Sequence, residues 1–374
     1  MVTRNTALER LSPNYLFREV QLRKEAFLRD HPVTSLTDLG IGNTTMPLPL
    51  VVAEALAEEA FAFGFECGYL GYGPELGEEA LCNAIANQYY NGLVQSGDIT
   101  ISDGAKGALS LIQTLFGPTV RIGVQDPSYP VFIEGSLLHG VRDIALFPCT
   151  PENGFFPDLE SHPPVDLLYI CSPNNPTGVC YTHDQLSQLV DYAKTHRALI
   201  IFDAAYAAFI RDDSLPRSIY DVPGGSDVAI EVGSFSKMSG FTGLRLGWTV
   251  VPETLCYDDG SPIALDWRRV VTTLFNGASR LIQRGGLSAL EEGGYIEPYL
   301  ESTRLLREQF GEYEQYGGEH APYIWVKMEG RSSWDIFDTL LRERHIVSTP
   351  GSGFGPSGES FVRLSAFNPL LLPN

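Results

Sequence analysis

Basic residues are scarce in this sequence. Its 374 residues include 26 lysines and arginines against 46 aspartates and glutamates, which gives a formal net charge of −20. This excess of negative charge repels nucleic-acid backbones and anionic membrane surfaces, so neither is expected as a partner, and a DNA-binding regulator is disfavoured. A small anionic substrate remains compatible with it, because local charges govern a pocket.

Paired cysteines and long apolar runs are also missing. The six cysteines stand singly, with no C-x-x-C pair and no histidine at metal-ligand spacing. This pattern argues against a disulfide framework and against a metal site. The first residues lack the apolar stretch of a signal peptide, and no apolar run reaches the length of a membrane span. We therefore expect a soluble cytoplasmic protein without a metal.

What is present is the pattern of an α/β fold. Hydrophobic residues make up 44% and charged residues 19%, a balance that separates the chain from disordered sequences. In its middle, short apolar runs alternate with amphipathic stretches, which predicts a mostly parallel sheet flanked by helices. The predicted strands are 120–124, 166–171, 198–202, 229–234 and 247–251. The clearest crossover helix is predicted at 183–195.

The last hundred residues predict a smaller α+β domain. A charged helix is predicted at 301–313, and strands are predicted at 323–328 and 361–365. Between the two strands lies a loop rich in glycine, proline and serine, at 350–358. We expect a large domain over residues 48–280. Residues 1–47 and 281–374 then form the small domain with an N-terminal arm.

The most informative segment is GSFSKMSGFTGLRLG at 233–247. Lys237 directly follows a predicted strand, and Arg245 comes eight residues later. The hydroxyls of Ser234 and Ser236 can bind a phosphate, which an arginine grips with two parallel hydrogen bonds. A poorly solvated lysine beside an arginine is a reactive amine. The same residues also fit a solvated turn with a chance basic pair.

Two more predicted strand ends carry polar side chains. Asn175 lies in CSPNNPTG, which ends one strand, and Asp203 ends the next, with Tyr206 three residues later. Because the carboxyl ends of parallel strands share one sheet edge, we expect these side chains to lie near Lys237. An aspartate at a strand end also commonly caps a helix, and that alternative stays open.

These segments resemble the fold-type I pyridoxal-phosphate enzymes, specifically the class I/II aminotransferase family. The resemblance implies that Lys237 carries pyridoxal 5′-phosphate as a Schiff base and moves the substrate proton. It implies that Asp203 pairs with the pyridine nitrogen, so that the ring can accept electrons. Tyr206 and Asn175 would bind the 3-oxygen, and Tyr129 would stack on the ring. The implied phosphate ligands are Ser234, Ser236, Arg245 and the backbone amides of Ala105 and Lys106, which we expect to open a helix.

One arginine, Arg363, lies inside the predicted apolar strand FVRLS. A buried unpaired arginine is costly, so it needs an anion. A structural salt bridge would satisfy it. The family resemblance implies instead that Arg363 binds the α-carboxylate of the substrate, with support from Asn175.

Several outer loops resemble the branch of the family that acts on diaminopimelate: 14–17, 71–77, 103–106, 275–279 and 361–367. This implies amino transfer from L-glutamate to tetrahydrodipicolinate, giving LL-2,6-diaminopimelate and 2-oxoglutarate for lysine and peptidoglycan synthesis. Such a substrate has an amino-acid group at each end. Glu75 would bind the distal ammonium, and Tyr15, Lys106 and Asn276 the distal carboxylate.

Each distal role has a simpler alternative. Glu75 fits a helix-start charge, Tyr15 an arm residue packed on the core, and Lys106 a solvated side chain. The remaining contacts implied by the resemblance are substrate binding by Gly42 and Tyr129 and contacts of Tyr72 with both cofactor and substrate. Asn276 would likewise touch the cofactor.

The same resemblance implies a homodimer, because Tyr72, Glu75 and Asn276 would reach the active site of the partner subunit. Pro74, Gly107 and the residues after Phe367 depart from the branch pattern, which leaves selectivity between LL- and meso-diaminopimelate open. An aromatic, alanine or histidinol-phosphate aminotransferase, and a lyase of the same fold, stay as alternatives.

Overall fold

The structure is a computed structural model that describes residues 2–11, 15–292 and 295–368. Asn14 of the predicted 14–17 loop lies outside these residues, as do Pro369 and Leu370 after Phe367. Among the helices of the described residues, none has both the length and the apolar character to cross a membrane.

The helices and strands alternate through most of the chain. The helices are α1 Leu16–Asp30, α2 Leu50–Ala62, α3 Glu79–Ala84, α4 Ala105–Ile112, α5 Val131–Leu138, α6 His183–His196, α7 Phe235–Met238, α8 Ile263–Leu274, α9 Arg280–Glu292, α10 Glu297–Gln309 and α11 Ser333–Glu343. The strands are β1 Thr37–Asp38, β2 Ile99–Ser102, β3 Arg121–Asp126, β4 Asp143–Pro148, β5 Leu167–Cys171, β6 Leu199–Asp203, β7 Ala229–Ser234, β8 Gly247–Val250, β9 Glu314–Gly317, β10 Tyr323–Lys327, β11 Ile346–Val347, β12 Thr349–Pro350 and β13 Phe361–Ser365.

A seven-stranded sheet in the order β2-β8-β7-β6-β5-β3-β4 forms the centre of the molecule. β8 runs antiparallel to β2 and β7, and the other neighbours are parallel. The inner strands read LLYIC and LIIFD and are almost entirely buried. Strands this apolar need a helix layer on both faces of the sheet. The predicted α/β class is thereby confirmed.

Corrections to the sequence prediction include two edge strands of the large sheet and the bounds of one helix. The edge strands β2 and β4 were not predicted. Helix α10 begins four residues before the predicted start at 301, because Pro298 occupies its first turn, a position where proline favours helix entry. Its end is also earlier than predicted, since Phe310 already leaves the helical conformation.

A second, antiparallel sheet lies in the C-terminal part, in the order β12-β13-β10-β9. Helices α1 and α11 pack on it through a core that includes Leu16, Val20, Phe337 and Leu341. In its register, Arg363 on β13 lies opposite Trp325 on β10 and Thr349 on β12. The two sheets meet at the carboxyl edge of the large one.

Helix α9 packs on the large-sheet side of the molecule. A Cβ placed on Gly285 would lie 2.6 Å from Cδ2 of Leu56 on α2, so this glycine permits a close helix crossing. The Ser288 hydroxyl also donates to the Val51 carbonyl, at 3.4 Å. We therefore propose that the second unit starts after residue 292 and not at 281.

Candidate active site

The end of β7 places the lysine. Ser234 ends the strand and caps the one-turn helix α7, its side chain accepting a hydrogen bond from the Ser236 amide at 3.1 Å. Lys237 lies in that turn and points across the sheet edge, where its Nζ donates to the Gly42 carbonyl. The sequence therefore folds so that the hydroxyls and the amine converge on one cavity.

Two sources of positive potential meet beside this turn. Helix α4 begins at Ala105, as the DGAK segment predicted, with Gly104 at its N-cap. A Cβ on Gly104 would clash with the Arg245 guanidinium, so that guanidinium lies against the helix N-terminus. Arg245 has a positive φ of 67°, an unusual conformation for a residue with a side chain. Its Nη1 donates to the Ser236 hydroxyl at 3.2 Å. Exposed amides and a guanidinium facing one point form an anion site.

The Lys237 amine is tuned toward its neutral form. Desolvation in the cavity, and then the positive charges of Arg363 and Arg245, lower its pKa to about 7. Near neutral pH, roughly half of these amines therefore lack a proton and can act as nucleophiles.

Asp203 ends β6 in register with Cys171 on β5 and Val232 on β7. Its carboxylate accepts a hydrogen bond from the Ala205 amide at 3.0 Å. The helix-cap alternative is not observed, because the next helical turn, Ala207–Phe209, has Tyr206 at its N-cap and no side-chain cap. Burial raises the pKa of Asp203 to about 6, and the Ala205 amide only partly offsets this effect. Among the described residues no lysine or arginine forms a salt bridge with Asp203, so a buried acid is left without a cation.

Arg363 is 1% exposed and has neutral partners. It donates to the Asn175 side-chain oxygen and to the Gly40 carbonyl, each at 2.6 Å, and its Nε has no partner. Three aromatic rings surround the guanidinium at 4.5–5.4 Å, those of Phe17, Tyr323 and Phe354. Within the described part of the chain no carboxylate pairs with it, so the salt-bridge alternative is not observed.

Lys106 lies at the exposed side of the same cavity. Its Nζ is 5.0 Å from the ring centre of Tyr15 and 5.5 Å from that of Tyr129. Burial, and then the neighbouring Tyr129 hydroxyl, raise the pKa of Tyr15, which keeps it a neutral hydrogen-bond donor. A cation therefore lines the cavity here, in addition to the arginine on β13.

The cavity has a volume of about 550 Å³ and gathers most of the predicted site residues. Those that line it are Gly42, Ala105, Lys106, Tyr129, Asn175, Asp203, Tyr206, Ser234, Ser236, Lys237, Arg245 and Arg363. Its other lining residues were not predicted from sequence: Phe17, Ile41, Asn43, Leu109, Ala205, Thr242 and Tyr323. The apolar run 323–328 indicated only a buried strand for Tyr323, because the contact of Tyr323 with the site arises where the two sheets meet.

Tyr72, Glu75 and Asn276 do not line the cavity of their own chain. Tyr72 is 92% exposed. The loop that holds Glu75 lies against the one that holds Asn276, since a Cβ on Gly277 would be 3.2 Å from the Pro74 carbonyl oxygen. The three residues thus belong to one surface region separate from this cavity.

The cavity residues fit pyridoxal phosphate. The anion site suits a phosphate, and the Lys237 amine with its lowered pKa suits attachment to an aldehyde. Asp203 lacks the cation that a protonated pyridine nitrogen would supply. The solvated-turn interpretation of 233–247 does not account for the desolvated lysine.

Comparison with known proteins shows that the chain is similar to aminotransferases. The family model for aminotransferase class I and II matches residues 34–369. The chain is 46% identical to an LL-diaminopimelate aminotransferase of Protochlamydia amoebophila, over 98% of this chain and 94% of that protein. It is also 46% identical to the chloroplastic LL-diaminopimelate aminotransferase of Arabidopsis thaliana, over 98% and 84%. A solved L,L-diaminopimelate aminotransferase from Chlamydomonas reinhardtii superposes with a TM-score of 0.94 at 44% identity, over 98% of this chain and 95% of that one.

Proposed function

Since this chain belongs to the aminotransferase class I and II family, and is a pyridoxal-phosphate-dependent transaminase, we propose that it exchanges an amino group between L-glutamate and tetrahydrodipicolinate. The products are LL-2,6-diaminopimelate, a precursor of lysine and peptidoglycan, and 2-oxoglutarate. The observation that carries this proposal is that two basic residues besides Lys237 and the phosphate-site Arg245, namely Lys106 and Arg363, line the cavity. The chain also matches diaminopimelate enzymes along nearly its whole length.

We propose these roles at the cofactor end. Bound pyridoxal phosphate supplies an electron sink for the negative charge that develops at the substrate Cα. Arg245, Ser234, Ser236 and the first amides of α4 hold the phosphate. Asp203 holds a proton on the pyridine nitrogen. Lys237 would act as the general base that removes the Cα proton and then as the general acid that returns it.

The substrate end is proposed to use both cations. Arg363, oriented by Asn175 and Gly40, binds the α-carboxylate and gains the charged partner that the described residues do not provide. Lys106 and Tyr15 bind the carboxylate at the far end. A diamino diacid has a second ammonium as well, and Glu75 is proposed to bind it.

We further propose that the active form is a homodimer. The segment before Glu75 exposes large apolar side chains, including Phe61 at 74%, Tyr69 at 67% and Tyr72 at 92%. Apolar surface of this kind is typical of an interface. Docking that surface against a second copy would bring Tyr72, Glu75 and Asn276 to the cavity of the partner. A cytoplasmic location is proposed from the unpaired cysteines, which suit a reducing compartment.

Changing Glu75 to glutamine tests the substrate assignment. We expect kcat/KM for LL-diaminopimelate to fall about 10- to 100-fold, the effect of losing a hydrogen bond to a charged group. The value for glutamate, which has no distal ammonium, should change less than about threefold. Glu79→Gln, an exposed carboxylate on the next helix, is the control. Equal losses for both amino acids, or none, would contradict the role of Glu75.

Mixing two impaired variants tests whether each active site uses residues from both subunits. In a heterodimer of a Glu75→Gln chain and a Lys237→Ala chain, one active site has Lys237 from the first chain and Glu75 from the second. After subunit exchange, about a quarter of the wild-type rate with LL-diaminopimelate should return. A rate that stays at the sum of the separate variants would contradict the shared site.

A further inference from the structure

Tyr323 lies where the two sheets meet, and the proposed amino-transfer chemistry assigns it no role. It begins β10 in the C-terminal sheet and is 1% exposed. Its hydroxyl is 2.7 Å from that of Tyr206, which follows β6 of the large sheet. Its ring centre is 4.5 Å from the guanidinium carbon of Arg363. One side chain therefore touches both the proposed cofactor end and the proposed carboxylate end.

A third contact connects Tyr323 to the lysine. A Cβ on Gly42 would clash with the Tyr323 hydroxyl, so the backbone of Gly42 lies directly on it. The carbonyl of the same glycine accepts the hydrogen bond from Lys237. Tyr323 thus supports the short segment against which the lysine rests.

We propose that Tyr323 is a positioning residue of the amino-transfer reaction, whose hydroxyl orients Tyr206 and whose ring holds Arg363. The inference rests on the proposed function and on the contact with the cofactor 3-oxygen that the family resemblance implies for Tyr206, in which Tyr206 would donate its proton. A hydroxyl has a single proton, so Tyr206 must then accept its hydrogen bond from Tyr323. Donor chains of this kind polarise one another, which makes Tyr206 a stronger donor.

The first test uses Tyr323→Phe, which removes the hydroxyl and keeps the ring. With Tyr206 a weaker donor, the 3-oxygen becomes more basic, and the pH midpoint of the bound-cofactor absorbance should rise by about half a unit or more. The other groups that act electrostatically on Tyr323 are Arg363, Asp203 and Cys171, and all three remain in this variant.

A double variant shows whether Tyr323 acts through Tyr206. In a Tyr206→Phe background, adding Tyr323→Phe should cause no further shift of the midpoint, because coupled residues are not additive. Tyr316→Phe removes a tyrosine hydroxyl from the neighbouring strand and is the control. An unchanged midpoint in the single variant, or fully additive shifts, would overturn the proposal. Because the titration is done without substrate, its result does not depend on whether diaminopimelate is the substrate.

The second test concerns the ring. Tyr323→Leu removes the contact with the guanidinium, and KM for glutamate should rise about threefold or more above that of Tyr323→Phe. Thermal unfolding of both variants separates this effect from loss of folding. Equal KM values for two folded variants would show that the ring does not hold Arg363 and would overturn that part of the proposal.

Discussion

Replacing Lys237 with alanine is expected to lower the rate of amino transfer about ten-thousandfold, the upper range for loss of a positioned acid and base. The variant loses the amine that moves the proton and the point of covalent attachment at once. Initial rates with glutamate as donor measure the first loss. Borohydride treatment followed by denaturation measures the second, since cofactor should stay with the wild-type chain and leave the variant.

Two controls make this result specific. Lys106→Ala removes a lysine that lines the same cavity and should keep the covalently held cofactor. A small primary amine added to Lys237→Ala should restore part of the rate, because it fits the space of the lost side chain and supplies the base. A variant that keeps its rate within about tenfold of wild type would remove Lys237 from the chemistry.

Changing Arg363 to glutamine is expected to lower kcat/KM about a hundredfold or more for glutamate and for LL-diaminopimelate alike. Both substrates present the same α-carboxylate, and its only proposed cation is removed. Arg363→Lys keeps the charge but loses the two-pronged geometry, and we expect a loss of at least about tenfold. Exposed Arg342→Gln on α11 is the control, and thermal unfolding checks that each variant folds.

The Arg363→Gln variant also has a pH signature. The positive charge of Arg363 helps to lower the pKa of Lys237, so its removal should raise that pKa above about 7. A raised pKa means that the neutral amine appears only at higher pH. The rate at which cofactor-free protein takes up pyridoxal phosphate should therefore reach its half-maximum at a higher pH than in wild type. A midpoint that stays in place, together with unchanged kcat/KM, would contradict the assignment of Arg363.

The sequence allowed the inner strands and the cofactor end of the site to be predicted, because their signals are local. Strand 229–234 agrees with β7 at both ends, and the residues from Ser234 to Arg245 are contiguous. One continuous segment therefore encodes the strand, the turn after it and the residues proposed to bind the phosphate. Length does not explain why the edge strands were missed, because β4 has six residues, one more than β5 or β6. Asp143 begins β4 and Pro148 ends it, and both residue types are unfavourable in strands. The four residues of β2 directly follow a helical turn at Ser96–Asp98.

The substrate end was harder to predict because tertiary packing builds it. Tyr323 and Phe17 reach the cavity from distant parts of the chain. From sequence, a buried tyrosine at the start of an apolar strand cannot be distinguished from a core residue, and Gly42 could be named only through the family resemblance. Glu75 and Asn276 lie outside the cavity of their own chain, so the roles proposed for them would require a partner subunit.

A single-turnover assay most directly tests whether the protein transfers the amino group of a diamino diacid, with Lys237 as the acid and base. Wild-type protein loaded with pyridoxal phosphate is mixed separately with LL-diaminopimelate, glutamate, tyrosine and alanine. Bound-cofactor absorbance and the released keto acid are then followed. We predict fast conversion of LL-diaminopimelate and glutamate, with tetrahydrodipicolinate and 2-oxoglutarate as products. Faster conversion of tyrosine or alanine, or elimination products in place of keto acids, would contradict it.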